Sequence, residues 1–213
     1  MISGKKILCA AAALAAFIAF HQEAAAQVSR LYMAGYMGLN VYKDQDFEAT
    51  SPAVTKGTMN LDNAPSFAGA IGLRLSRDFR VEAELSYRKA DVNQLDFPGA
   101  GGGSGGELQQ YMGFLNLYYD FDIPGKIKPF IGGGLGMGLF SGEANNSAGG
   151  PSFANEDTTA LMWNAGGGVK YRVKDDTAFS VGYRYLDSTD LSFDDFDIDY
   201  SSHEFRIGIE YDF

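Results

Sequence analysis

Between Phe79 and Tyr87 the chain changes character at every residue. Phe79, Val81, Ala83, Leu85 and Tyr87 are apolar, while Arg80, Glu82, Glu84 and Ser86 between them are charged or polar. A period of two belongs to a β-strand, whose successive side chains leave opposite faces; on a helix a face recurs every three or four residues. One side of this strand therefore faces an apolar medium and the other a polar one, and the fold has to supply both.

The same alternation recurs in eight stretches, near residues 30–42, 66–75, 79–88, 108–121, 127–140, 158–173, 178–186 and 200–213. In the first, Leu31, Met33, Gly35, Met37, Leu39 and Val41 share a face; in the last, Phe205, Ile207, Ile209, Tyr211 and Phe213 do. The connections alternate in length. Those after the second, fourth and sixth stretches are tight, as in Ser76-Arg77-Asp78 and Asp122-Ile123-Pro124-Gly125-Lys126, whereas residues 43–65, 89–106, 141–157 and 187–199 form long polar connections. An even number of strands with short turns at one end and long loops at the other predicts an all-β fold, an eight-stranded antiparallel up-and-down transmembrane β-barrel, with the short turns in the periplasm.

The N-terminus fits export. Lys5 and Lys6 precede an apolar run from Ile7 to Phe20, followed by Ala24-Ala25-Ala26. This is the pattern of a secretory signal peptide, predicting residues 1–26 as leader and 27–213 as the barrel domain. Cys9 and His21 leave with it, so the mature chain is expected to keep His203 as its only histidine and no cysteine. The whole sequence has 27 acidic against 17 basic residues, and losing Lys5, Lys6 and Glu23 deepens that excess. Phosphate binding needs basic surface, so a nucleic-acid partner is not expected.

The aromatic residues agree with a membrane band. Phe79, Tyr119, Phe121, Tyr171, Phe179, Tyr211 and Phe213 fall at the periplasmic ends of the strands, and Phe67, Tyr87, Tyr111 and Tyr185 toward the outer ends. Aromatic girdles are expected at both interfaces of such a barrel. With the apolar face toward lipid, the charges collect inside: Arg74, Arg80, Glu82, Glu84, Arg88, Asp120, Lys170, Arg172, Arg184, Glu204, Arg206, Glu210 and Asp212. An eight-stranded barrel is just wide enough for side chains to fill it, so these residues are read as a paired internal network. The in-strand glycines, among them Gly132, Gly134, Gly136, Gly138, Gly166 and Gly168, are expected to permit curvature or to lie beside large interior side chains. Glycine-rich residues 99–106 read as a loop tip.

No catalytic, cofactor-binding or metal-ligating residue is assigned. The acidic segment from Asp187 to Asp199, with Asp190, Asp194, Asp195 and Asp197, lacks the spacing of a calcium loop and reads as solvated surface. His203 has Ser201 on its own strand face while Glu204 points the other way, so this run cannot build a catalytic triad by itself.

Phe79-Arg80-Val81-Glu82-Ala83-Glu84-Leu85-Ser86-Tyr87, Lys128-Pro129-Phe130-Ile131-Gly132-Gly133-Gly134-Leu135-Gly136, Trp163-Asn164-Ala165-Gly166-Gly167-Gly168-Val169-Lys170-Tyr171 and Val181-Gly182-Tyr183-Arg184-Tyr185 together resemble small outer-membrane barrels of the OmpA-like, opacity-protein type, also called porin-family or surface-antigen proteins. The resemblance spans the mature chain. It implies a Gram-negative outer-membrane protein without enzymatic activity, serving in envelope integrity, adhesion or as a surface antigen. Implied partners are outer-membrane lipid and lipopolysaccharide, and host or envelope surface ligands at the loops. The closing residues Arg206-Ile207-Gly208-Ile209-Glu210-Tyr211-Asp212-Phe213 look like the terminal signal read by the barrel-assembly machinery. The alternatives are a small porin-like pore and a lipid A-modifying hydrolase. The chain distantly resembles lipid A deacylases, but it has Leu186-Asp187-Ser188 where their His-x-Ser motif is sought.

Overall fold

The computed structural model describes residues 31–42, 45–49, 55–97, 100–103, 106–144, 153–189, 191–193, 196–198 and 200–213. The expected leader, residues 1–26, lies outside the described residues. Eight strands form the wall: β1 (Leu31–Tyr42), β2 (Ala64–Arg74), β3 (Phe79–Phe97), β4 (Gly106–Asp120), β5 (Ile127–Ala144), β6 (Phe153–Arg172), β7 (Thr177–Ser188) and β8 (Ser201–Asp212). Each pairs antiparallel with the next, and β8 returns to β1. The ring is closed through Met33 opposite Tyr211, Met37 opposite Ile207 and Tyr42 opposite Ser202. Closure leaves no wall strand with an unpaired backbone edge, the condition for crossing hydrocarbon with strands. Among the described residues no helix is long and apolar enough to cross a membrane, which says nothing about strands.

The alternation predicted from sequence is the inside–outside alternation of this wall. Even-numbered residues of β3 point inward, with Arg80, Glu82 and Glu84 buried, while Phe79 and Leu85 face out. Leu135 is 67% exposed, Val181 60% and Ile207 59%. A continuous belt of exposed Leu, Ile, Met, Val and Phe far exceeds what a water-soluble surface carries and places the outward face in lipid. Aromatic contacts frame the belt: Phe79–Tyr119 at 5.1 Å and Tyr211–Phe213 at 5.7 Å below, Tyr87–Tyr111 at 4.9 Å and Trp163–Tyr185 at 5.7 Å above.

The three predicted short turns are present and locally explained. Ser76 Oγ accepts from the backbone N–H groups of Asp78 and Phe79 at 3.2 and 3.1 Å, closing the turn between β2 and β3. Gly125 adopts φ of 113° in the turn between β4 and β5, a conformation that a Cβ would oppose. There Lys128 Nζ donates to Asp122 Oδ1 at 2.6 Å and to the Ile123 carbonyl at 2.7 Å. Val173 N–H donates to the Thr177 carbonyl at 3.0 Å in the turn between β6 and β7.

The outer connections differ from expectation. β3 runs on to Phe97, β5 to Ala144 and β6 starts at Phe153, so much of the expected loop at 89–106 and 141–157 is strand. Ala100–Gly103, read from sequence as part of a loop tip, pairs with the end of β3 through Leu95 opposite Gly103. Thr55–Leu61 pairs with outer β3, Gln45–Ala49 with Thr55–Leu61, Phe196–Ile198 with Gln45–Ala49, and Leu191–Phe193 with Phe196–Ile198. The first and last outer segments are thereby joined in one sheet rising from β3 beyond the apolar belt. These strands are only three to seven residues long, too short for a period of two to stand out in the sequence.

Candidate functional site

The described residues enclose one concentration of functional-type side chains, the barrel interior, and it is organised in layers along the axis. At the periplasmic end Arg74 Nη2 donates to Asp212 Oδ1 at 2.7 Å and Lys170 Nζ to Asp120 Oδ2 at 2.8 Å. Above them, Glu82 accepts from Tyr32 OH at 2.8 Å, Tyr36 OH at 3.0 Å and Arg80 Nη1 at 3.1 Å. The Arg80 guanidinium lies 3.9 Å from the Tyr118 ring centroid. Buried carboxylates persist only when desolvation is answered by such donors, and Glu82, fully inaccessible to solvent, has three.

The middle layer is arginine-rich. Arg206 Nη1 donates to Glu84 Oε2 at 2.9 Å, and its guanidinium sits 3.8 Å from the Tyr36 ring centroid. Arg184 bridges two carboxylates, with Nη2 2.8 Å from Glu84 Oε1 and Nε donating to Glu204 Oε2. Ser66 Oγ donates to Glu204 Oε1 at 2.5 Å. Arg88 Nη1 donates to Asn40 Oδ1 at 2.7 Å, and Nη2 stands 3.7 Å from Glu204 Oε1.

The outer layer is apolar, a feature the sequence reading did not find. Leu108, Met112, Phe140, Met162 and Leu186 form one buried cluster with Tyr42 and Tyr200. Phe140 packs edge-on against Tyr200 at 5.2 Å, and Tyr200 OH donates to Gln110 Oε1 at 2.7 Å. Strand parity could have shown it: Met112 and Phe114 share the inward phase of Asp120 on β4.

Interior glycines make this filling fit. A Cβ on Gly72 would enter the Tyr32 ring, one on Gly132 the Tyr118 ring, and one on Gly134 the Asn116 carboxamide. The large inward side chains of β1 and β4 thus lie across glycines of β2 and β5.

Of the thirteen charges predicted to point inward, Arg80, Glu82, Glu84, Arg88, Asp120, Lys170, Arg184, Glu204, Arg206 and Glu210 are buried. Arg74 and Asp212 are half-buried at the periplasmic mouth. Arg172 lies on the rim, where Nη1 meets Asp212 Oδ2 at 3.3 Å. His203 faces outward. Its Nδ1 is 2.7 Å from Tyr183 OH, and its ring lies 5.3 Å from that of Tyr185. Glu204 is turned into the interior, as strand parity requires, so the two do not meet. Leu186 is buried in the apolar layer and Asp187 accepts from Tyr185 OH at 2.7 Å, which gives that run structural partners. Of the acidic outer segment, Asp190, Asp194, Asp195 and Asp199 lie outside the described residues.

In the exposed periplasmic turn, the hydrogen bond from Lys128 holds the Asp122 carboxyl below its ordinary pKa.

Comparison with known proteins gives the same architecture. The family described as outer membrane protein beta-barrel domain matches residues 10–213. A curated "Outer membrane protein" of Gluconacetobacter diazotrophicus is 32% identical over 95 residues, covering 41% of this chain and 25% of that protein. The chain thus spans about a quarter of the length of the curated relative it matches. Among solved structures, the outer membrane protein OprG from Pseudomonas aeruginosa aligns with a TM-score of 0.62 at 15% identity, over 88% of this chain and 97% of that one. Neisserial surface protein A aligns with a TM-score of 0.53 at 17% identity, over 86% and 97% of the two chains. At these identities the likeness is one of fold.

Proposed function

Because the chain belongs to the outer membrane protein beta-barrel domain family and is an outer-membrane barrel, we propose that it is a non-enzymatic surface protein, acting in envelope integrity, adhesion or as a surface antigen. In this reading the wall anchors the chain and the outer sheet makes the contacts. The observation that carries it is the filled interior. Arg88, Glu82 and Asn40 are wholly buried, and above them Phe140, Met162 and Leu186 close the outer half. An interior so occupied leaves the outer strands as the surface open to partners, and recognition tends to reside on segments held by a rigid scaffold. The outer segments carry Asp46, Glu48, Asp96, Glu107, Glu156 and Asp157 as well as the Asp187 to Asp199 run, with few basic residues. That composition favours cationic or cation-bridged contacts with lipopolysaccharide and with host or envelope ligands.

The test is a deletion strain complemented either with the whole chain or with a barrel whose outer segments are replaced by short turns. The reading expects the deletion to raise detergent sensitivity or reduce surface attachment, the whole chain to restore it and the trimmed barrel to fail. Equal restoration by the trimmed barrel refutes a role for the outer sheet. Altered lipid A mass spectra on overexpression would contradict the non-enzymatic assignment.

A further inference from the structure

We infer that the outer end of the wall on β6, β7 and β8 holds the sugar end of an outer-leaflet glycolipid, the glucosamine headgroup of lipopolysaccharide, on a shelf of Trp163, Tyr185 and His203. Five rings from three neighbouring strands meet there on the lipid side. Between ring centroids, Trp163 lies 5.7 Å from Tyr185, Tyr185 5.3 Å from His203, His203 5.9 Å from Tyr183, and Tyr183 5.3 Å from Phe205. On β3 and β4 the outer girdle is a single pair, Tyr87 and Tyr111. A girdle accounts for rings but not for the polar groups set among them. Tyr183 OH is 2.7 Å from His203 Nδ1, and Tyr185 OH donates to Asp187 Oδ2 at 2.7 Å. These bonds fix two of the rings. They leave the imidazole Nε2 as a donor or an acceptor, whichever nitrogen carries the proton.

This mixture suits a sugar, whose C–H faces pack on rings while its hydroxyls both donate and accept. It does not suit a headgroup held by phosphate alone, which calls for guanidinium or ammonium groups. None of the outward-phase residues between Thr159 and Gly167, Val181 and Asp187, or Ser201 and Ile207 is lysine or arginine. The depth is that of a headgroup, for Leu161 and Phe205, 57% and 56% exposed, flank the shelf at the edge of the apolar belt. Below the shelf the wall offers a path for an acyl chain. Gly133 stands opposite Ala165 and Ile131 opposite Gly167, while Ala165 and Gly167 stand opposite Tyr185 and Tyr183. All occupy outward positions of their strands, so Gly133, Ala165 and Gly167 form a flat floor two strands, about 10 Å, across. Exposed Leu135, Ile131 and Val169 rise beside it, and the Tyr183 ring, drawn toward β8 by His203, bounds the other side. Ala165 is the next outward residue after Trp163, which makes shelf and path continuous. One glycolipid occupies both.

Trp163 is the one tryptophan of the chain, so its fluorescence reports on the shelf. Purified protein would be reconstituted in phosphatidylcholine vesicles containing a rising fraction of deep-rough lipopolysaccharide. A saturable shift in Trp163 emission is expected, and phosphatidylglycerol at matched charge should give no saturable shift. His203→Ala, which removes a hydrogen-bonding group of the shelf, and Ala165→Leu, which fills the chain path, should each raise the half-saturating lipopolysaccharide fraction roughly three- to tenfold. Tyr111→Leu, in the girdle away from the shelf, should leave it unchanged. All three positions face lipid, and heat-modifiable gel mobility checks that each variant is folded. An unsaturable response, an equal response to phosphatidylglycerol, or a half-saturating fraction unmoved by either His203→Ala or Ala165→Leu would overturn the inference. The site rests on the surface role proposed above, yet the two fail separately: a deletion strain without a phenotype leaves the titration intact, and a flat titration leaves the complementation result intact.

Discussion

Arg206 on the closing strand reaches across the barrel to Glu84 on β3, 122 residues earlier in the chain, with Nη1 2.9 Å from Oε2. This contact joins strands that share no ladder, so it forms only when the ring is shut. Removing Glu84 leaves Arg206 and Arg184 facing each other with one carboxylate fewer. Glu84→Ala is expected to destabilise the folded barrel by about 3–5 kcal/mol, measured by urea unfolding in detergent or bilayers. The double substitution Glu84→Leu with Arg206→Met should lose less than the sum of the two single changes. Additive losses would show that the pair is not energetically coupled.

The glycine pattern makes two opposite predictions at two positions of one strand. Gly72 points inward under the Tyr32 ring, whereas a Cβ on Gly69 would meet nothing within 4 Å. Gly72→Ala should cost about 1–3 kcal/mol through overpacking. Gly69→Ala, facing lipid, should be neutral or stabilising by up to about 1 kcal/mol. Heat-modifiable gel mobility and unfolding midpoints separate the two.

We propose that Phe213 bears on assembly more than on stability. Its N–H donates to the Leu31 carbonyl at 3.1 Å and its side chain is 58% exposed, so deleting it removes one ladder bond and no interior contact. Refolding in detergent should be nearly unchanged, while incorporation into the outer membrane of cells should fall several-fold if the assembly machinery reads the terminal aromatic, as we propose from the resemblance of the closing strand. Equal losses in both assays would assign Phe213 to folding instead.

The turn between β4 and β5 carries a pH signature. Asp122 is held below its ordinary pKa by the hydrogen bond from Lys128. A depressed carboxyl contributes stability that is complete above its unfolded pKa, about 4, and is lost as pH falls through the lower folded value. Because the group is exposed, the effect belongs to the turn and not to the barrel. NMR titration should show the Asp122 midpoint rising on Lys128→Met, and an unchanged midpoint would contradict the assignment.

The wall was legible because lipid and interior impose opposite polarities on alternate residues. Phe79 to Tyr87 announces both faces at once, and from it the inward charges Arg80, Glu82 and Glu84 follow by parity. Two parts were hidden. Where the interior is itself apolar, as at Met112, Phe114, Phe140 and Met162, both faces read alike locally, and the inward phase has to be carried along the strand from polar positions such as Asn116 and Asp120. The outer strands Gln45–Ala49 and Thr55–Leu61 are only five and seven residues long, too short for alternation to stand out, and backbone pairing defines them. Tyr32 and Tyr36 were hidden differently: tyrosine suits a membrane interface, and only their spacing from Met33 and Met37 assigns them inward to Glu82.

The central claim is that charged and apolar layers fill the barrel. Purified wild-type protein reconstituted in a planar bilayer tests it most directly, with Arg80→Ala and Glu84→Ala alongside. The filled interior predicts a silent membrane for the wild type across the applied voltage range. Discrete conductance steps in the wild type, shifted in size or ion selectivity by Arg80→Ala or Glu84→Ala, would contradict it and make the interior a pore.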